Sequence, residues 1–468
     1  MSDATAYGNM SFVHLQADGW RENTARLQDA LDARHAAGGG TVSVSTGRAA
    51  SAEGPGETSE IGVEIGHIRI PSFVTLEVQA GSVLRAAMER EAYAGSRFDC
   101  LVESQDTRYI GLVGAGVIDG RGVEFMKRDL RYIYEPREWR PRLIGLFGAT
   151  DVTVRDITLR NGAFWTLHPI GCTRVTIDGI TIDNDLKVPN CDGIDPDHCR
   201  DVRIQNCSIR AADDCIVLKN TKEFMEYGPC EGILVANCSL TSTSAAFKIG
   251  SESMQDFRDI VITGCVVRAS NRGLAVQLRD PGSVENLTVS NCIIETRLFE
   301  DHYWGKAEAV YITALERFGQ ANEALPDWNP ENRVGTVRGV KLSGLRIRGE
   351  NGVVLYGITR EDGSRSVEDV TLRDSRISTL KSSKWPAGRR DLRPRDALGP
   401  AFRNPEEDPG LETLPHSAVS AEGIGELALE GVDIDWQVRG VDGYGDPLYL
   451  RANGQVRMST VHVEEQRG

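Results

Sequence analysis

The segment VRIQNCSIRAAD, Val202–Asp213, decides the architecture. Alternating apolar and polar residues run into a polar pair, Asn206-Cys207, and a second alternating run leaves it, a strand-bend-strand unit too short to bury its apolar side alone. The same unit recurs upstream as VTVRDITLRN from Val152 and VTIDGITIDND from Val175. Downstream it returns as ILVANCSLTST from Ile233, IVITGCVVRAS from Ile260, LTVSNCIIETR from Leu287, VKLSGLRIRGEN from Val340, VTLRDSRISTL from Val370 and LALEGVDIDWQ from Leu427. The first six starts are 23, 27, 31, 27 and 27 residues apart. A repeat of this length predicts a solenoid whose units stack to form one continuous core. The expected fold is all-β: a right-handed parallel β-helix.

Cys207, Cys238, Cys265 and Cys292 occupy the same place in successive units, three of them directly after Asn206, Asn237 and Asn291. Like residues in adjacent coils lie about 4.8 Å apart, so these should form a buried cysteine ladder beside an asparagine ladder at the bend. A line of cysteines is not a metal site, and the ten cysteines of the chain are read as reduced and structural. The segment ENTARLQDALDARHAAGGG predicts a capping helix, with Asn23 or Thr24 as N-cap, Leu27, Ala30 and Leu31 on one face and Gly38 as the stop. Residues 1–45 are therefore assigned to an N-terminal cap and 46–468 to a single β-helix domain. Long irregular insertions are expected at about 298–336 and 380–417, the second rich in Pro, Gly and charge.

The net charge is −15. That disfavours nucleic acid and anionic membranes, which need a basic footprint. No apolar run reaches the length of a membrane span, and the first residues show no leader. The expected location is cytoplasmic, or extracellular if a leader has been removed. No phosphate loop, zinc spacing or serine nucleophile elbow is present, and no cofactor is expected.

The candidate chemistry lies in four acids. RAADDCIVLKN sets Asp213 and Asp214 directly before an apolar run, and PNCDGIDPD offers Asp192 and Asp195 one coil earlier. Twenty-one residues is close to one turn of the solenoid, which predicts that Asp192 and Asp213 share a longitude on adjacent coils. Carboxylates that close cannot all ionise, so one should keep its proton and serve as a general acid. An acid opposite a base is what glycosidic hydrolysis needs. Asp and Gly also collect at hydrated turns, and the pairing of two clusters one coil apart is what favours a site.

The strings NCDGIDPDHC and NCSIRAADDCIVLKN resemble glycoside hydrolase family 28, the polygalacturonase and rhamnogalacturonase group of pectin-lyase-like solenoids. Asn190-Cys191-Asp192 matches the first family signature, Asp213-Asp214 the second, and NGAFWTLHPIGC from Asn161 resembles the strand before the site in bacterial exo-acting members. The resemblance implies that Asp213 and Asp192 activate water and that Asp214 is the general acid. Two family motifs are altered: Ala245 stands at the histidine position, and Ala275-Val276-Gln277 stands for Arg-Ile-Lys. A glutamine binds a hydroxyl but not a carboxylate by charge, so the departures imply a neutral, rhamnose-like sugar at the cleaved position rather than galacturonate.

Candidate substrate-binding residues are Asp195, Lys248, Glu252, Arg272, Gln277, Arg279, Trp304 and Lys306, together with His168, which could take part of the missing histidine's role. His198 is assigned none. The expected function is an inverting glycosidase acting on pectin-related oligosaccharides or polysaccharides, with self-association left open. Two rivals remain at this stage: a β-helical lyase with calcium held by the aspartates, and an inactive carbohydrate-binding solenoid.

Overall fold

A computed structural model describes residues 6–16, 18–46, 62–300, 305–316, 333–393 and 410–467. The chain forms two compact units, residues 1–212 and 213–468. Each is a run of parallel β-helix coils.

In the first unit, one ladder of parallel strands climbs from Met10–Leu15 through Gly40–Thr46, Val74–Val78, Arg108–Val113, Thr150–Arg155 and Thr173–Asp178 to Arg200–Gln205. A second joins Val117–Asp119, Thr158–Arg160, Thr181–Asp183 and Ser208–Ala211. A third joins Ile68–Arg69, Cys100–Gln105, Arg142–Phe147 and Leu167–Ile170. Register carries the sequence repeat into the core: Val152, Val175 and Val202 are successive partners, as are Val154, Ile177 and Ile204, and all are buried.

The second unit repeats the plan. Its third ladder runs Ile216–Asn220, Ala245–Ser253, Arg272–Leu278, Val310–Ala314, Val353–Gly357, Val419–Glu422 and Leu448–Arg451. Val310–Ala314 lies inside the stretch expected to be an irregular insertion. VYITA is buried on both faces, so it lacks the alternation that betrays a half-exposed strand. The insertion from 380 likewise contains a short antiparallel pair, Arg389–Asp391 with Leu411–Thr413.

The polar pairs sit at bends because the backbone turns left-handed there. Asn206, Asn237 and Asn291 have φ of 57°, 56° and 54°, and Gly264 and Gly344 both have φ of 64°. Asn tolerates that region and Gly enters it at no steric cost. The cysteines behind them are buried and free. In the second unit Cys238, Cys265 and Cys292 stack, and the Cys238 thiol pushes Cys265 up to about 11.

The capping helix spans Trp20–Ala36, with Leu27 and Leu31 fully buried. It begins three residues before the expected cap, after Gly19 at φ 101°. Asn23 is therefore inside the helix, where its side-chain amide donates to the carbonyls of Gln16 at 2.8 Å and Glu64 at 3.3 Å. Ala37 ends the helix and Gly38 follows at φ 95°. Among the described residues no helix is long and apolar enough to cross a membrane.

Candidate active site

In the first unit the site residues lie on and beyond the strand Leu167–Ile170. Isolated bridges join Leu167 to Ile194 and Ile170 to Asp197, and the Asp195 amide donates to the Leu167 carbonyl at 2.9 Å. That register sets Asp195 one coil beyond His168. The Asn190-Cys191-Asp192 turn is pinned from several sides. Asn190 is left-handed, with φ 56°, and its side-chain oxygen accepts from Arg140 at 2.8 Å. The Asn184 amide donates to the Cys191 carbonyl at 3.1 Å and to Thr166 Oγ1 at 2.8 Å, and the Thr166 amide donates to the Asp192 carbonyl at 3.1 Å. Asp192 is thus a buried carboxylate on a rigid support.

His168 is fully buried, edge-on to Trp165 with ring centroids 4.6 Å apart. Its Nε2 lies 3.4 Å from Asp197 Oδ2, and His198 Nε2 lies 3.7 Å from Asp197 Oδ1. His198, given no role from the sequence, is therefore part of a buried acid flanked by two imidazoles. Burial draws Arg142 below the ordinary arginine range, while Cys100, Asp195 and Asp197 oppose that shift.

In the second unit Asp214 is buried and fully engaged. Its Oδ1 accepts from Ser244 Oγ at 2.9 Å and from the Ala245 amide at 3.1 Å, and its Oδ2 is 3.1 Å from Lys248 Nζ. The Asp213 carbonyl accepts from Ser242 Oγ at 2.6 Å. Glu252 pairs with Lys219 at 3.2 Å. Lys219 was missed, although the alternation in IVLKN turns Val217 and Lys219 to the same face. Ser244 left no signal.

Ala245 pairs in register with Arg272, and Gly250 with Gln277. Arg272 is buried, 3.2 Å from Glu308 and 3.4 Å from Asp391, with its guanidinium 3.7 Å from the Tyr311 ring centroid. Burial opposes its charge, but Glu308, Tyr311 and Asp391 hold its pKa above the ordinary value. Its Nη1 also reaches Gln277 Oε1 at 3.5 Å. Asp391 is held far below the usual carboxylate range: burial works against ionisation, and Arg393, Arg272 and Lys306 overcome it. The Gly305 amide donates to Asp391 at 2.8 Å, and the Lys306 amide to Glu308 at 2.6 Å. Lys306 Nζ donates to the Gly305 carbonyl at 3.0 Å.

Arg279 is fully buried and donates to the Leu278 carbonyl at 2.8 Å, Thr313 at 3.0 Å and the Arg393 carbonyl at 3.4 Å. Lys248 thus joins Asp214. Arg272, Gln277 and Lys306 join one ionic network, and Arg279 tethers the segment that supplies Asp391. Trp304 lies outside the described residues. Asp391 could not be read from the sequence, because it reaches the network from 86 residues beyond Gly305.

A family model for glycosyl hydrolases family 28 matches residues 62–296, half of the chain, and takes in Asp192, Asp213 and Asp214. The chain belongs to this family. Within family 28 it is 30% identical over 220 residues to a probable polygalacturonase of Vitis vinifera, covering 44% of this chain and 43% of the relative. It thus spans less than half the length of that relative. In fold it is similar to a family 28 exopolygalacturonase of Yersinia enterocolitica, with a TM-score of 0.62, 16% identity, and coverage of 95% of this chain and 76% of the other. It is also similar to the polygalacturonase of Erwinia carotovora, with a TM-score of 0.60, 19% identity, and coverage of 82% and 97%. At such identities the two structures speak for the right-handed parallel β-helix alone.

Proposed function

We propose that this family 28 member is an inverting glycosidase that hydrolyses pectin-related oligosaccharides, with Asp214 as the proton donor to the leaving oxygen and Asp213 with Asp192 activating water. The observation that carries the reading is the Asp214 carboxylate, held by Ser244, the Ala245 amide and Lys248 within the segment that matches the family. A carboxyl group fixed by surrounding donors is oriented before substrate arrives. The 21-residue spacing of Asp192 and Asp213 supports their acting from adjacent coils.

The sugar cleaved is a neutral one. Ala245 offers no side-chain donor, and the Arg272 charge one rung away is already matched by Glu308 and Asp391, so it is not spare for a galacturonate carboxylate. Gln277 supports a hydroxyl at that position. Glu252, partly exposed, belongs to the same reading as a substrate-facing group, whereas His168 and Asp195 are fully buried and can only support the site from within the coil.

The test is a panel of rhamnose- and galacturonate-containing oligosaccharides, with product anomers followed by NMR. Hydrolysis at rhamnose with inversion is expected. Cleavage at galacturonate in homogalacturonan would overturn the neutral-sugar assignment, and an unsaturated product would overturn hydrolysis itself.

A further inference from the structure

Five rungs of the first unit carry a left-handed residue at the same bend: Phe73 (φ 67°), Tyr109 (φ 54°), Asp151 (φ 59°), Arg174 (φ 56°) and Asp201 (φ 54°). Register makes them neighbours. Arg108 pairs with Thr150, Thr150 with Thr173 and Thr173 with Arg200, while the Phe73 amide donates to the Arg108 carbonyl at 2.9 Å. This backbone region suits Gly, Asn and Asp and strains a bulky side chain. Burial compensates Phe73 and Tyr109 only in part, since they are 40% and 59% exposed. Strained residues that display large side chains to solvent are the outliers that point to function.

The two rings are stacked, with centroids 5.8 Å apart and planes 18° from parallel, and the Arg108 guanidinium lies 5.1 Å from the Phe73 centroid. Beside Tyr109 runs a groove of about 640 Å³ whose lining includes Asp106, Arg108, Asp151 and Arg174. Arg174 is fixed there by a two-pronged contact with Asp151, at 2.7 and 2.8 Å. The bend follows the third-ladder strands, whereas Asp192 precedes them, so the groove and the acid stand at opposite ends of those strands.

We propose that this groove is an accessory binding site for a uronate-bearing oligosaccharide. A pyranose ring has an apolar C–H face that packs on an aromatic surface and a rim of hydroxyls that needs fixed polar partners. Tyr109, held by Phe73, supplies the surface, and Asp106, Asp151 and Arg174 supply the partners. Arg108, exposed at the groove, supplies the charge that selects a carboxylate. The glycosidase reading enters only in the choice of a pectic sugar.

The experiment is electrophoresis through native gels containing polygalacturonate, with neutral galactan as control. Wild type should be retarded by polygalacturonate alone. Tyr109→Ala and Arg108→Ala should lose most of that retardation, a several-fold weaker apparent affinity, while kcat/KM on a short oligosaccharide is unchanged. Tyr109→Gly, which relieves the left-handed backbone, should keep or raise Tm and still lose retardation, which a merely structural tyrosine would not do. Equal retardation of wild type and the Tyr109 variants, or of wild type by galactan, would overturn the proposal. Tyr109-dependent retardation without hydrolysis of any pectic substrate would fault the enzymatic reading alone.

Discussion

At the scale of single residues, the second unit separates two kinds of buried charge. Asp214 meets one cation and two neutral donors, whereas Asp391 is locked among Arg393, Arg272 and Lys306. Asp214→Asn should lower turnover by about 10²–10⁴-fold, the usual worth of a general acid, with the β-rich circular dichroism spectrum retained. Asp391→Asn should cost about 3–5 kcal/mol at neutral pH, because it strands buried cations. The folded Asp391 carboxyl is depressed, so its stabilisation is present above the unfolded value of about 3.8 and is lost as pH falls toward the lower folded value. Urea midpoints of wild type and variant should therefore differ most near neutrality and converge from about pH 5 downward. The motifs singled out Asp192, Asp213 and Asp214 as candidates, and Lys248 was expected to bind substrate, whereas the structure pairs it with Asp214 at 3.1 Å. Asp391 and Ser244 were not legible, since nothing local distinguishes an acid that will meet a distant arginine from one that meets water.

At the scale of elements, the repeating bend is the unit of design. Gly264 at φ 64° lies over Asn237, and a Cβ there would stand 2.7 Å from Asn237 Oδ1. Gly264→Ala should destabilise the protein by about 1–2 kcal/mol from left-handed strain alone, read as a lower urea midpoint with unchanged slope. Asn291→Gly, at a similar φ, should cost only a few tenths of a kcal/mol by the mildness of Gly at such positions. The strands with one solvent face were readable from their period. Val310–Ala314 was hidden because both of its faces are covered, and the helix start was misplaced because Gly19 supplies the turn that a polar cap was expected to make.

At the scale of the whole molecule, all ten cysteines are free and buried. The native protein should react negligibly with a thiol reagent over minutes and expose all ten thiols on denaturation, by spectrophotometric titration. Fast native labelling of several thiols would contradict the packed ladders. The repeat, its period and the residues at its bends follow from the sequence by itself, because each coil contacts its neighbours at a fixed separation along the chain. The choice of partner for each buried charge was decided only by tertiary structure. Arg272 looked like a hand for substrate until Glu308 and Asp391 were seen to hold it, and those contacts span 36 and 119 residues of chain. Coulombic pairing in a buried site depends on separation in space, and outside the regular coils the order of residues along the chain does not fix that separation.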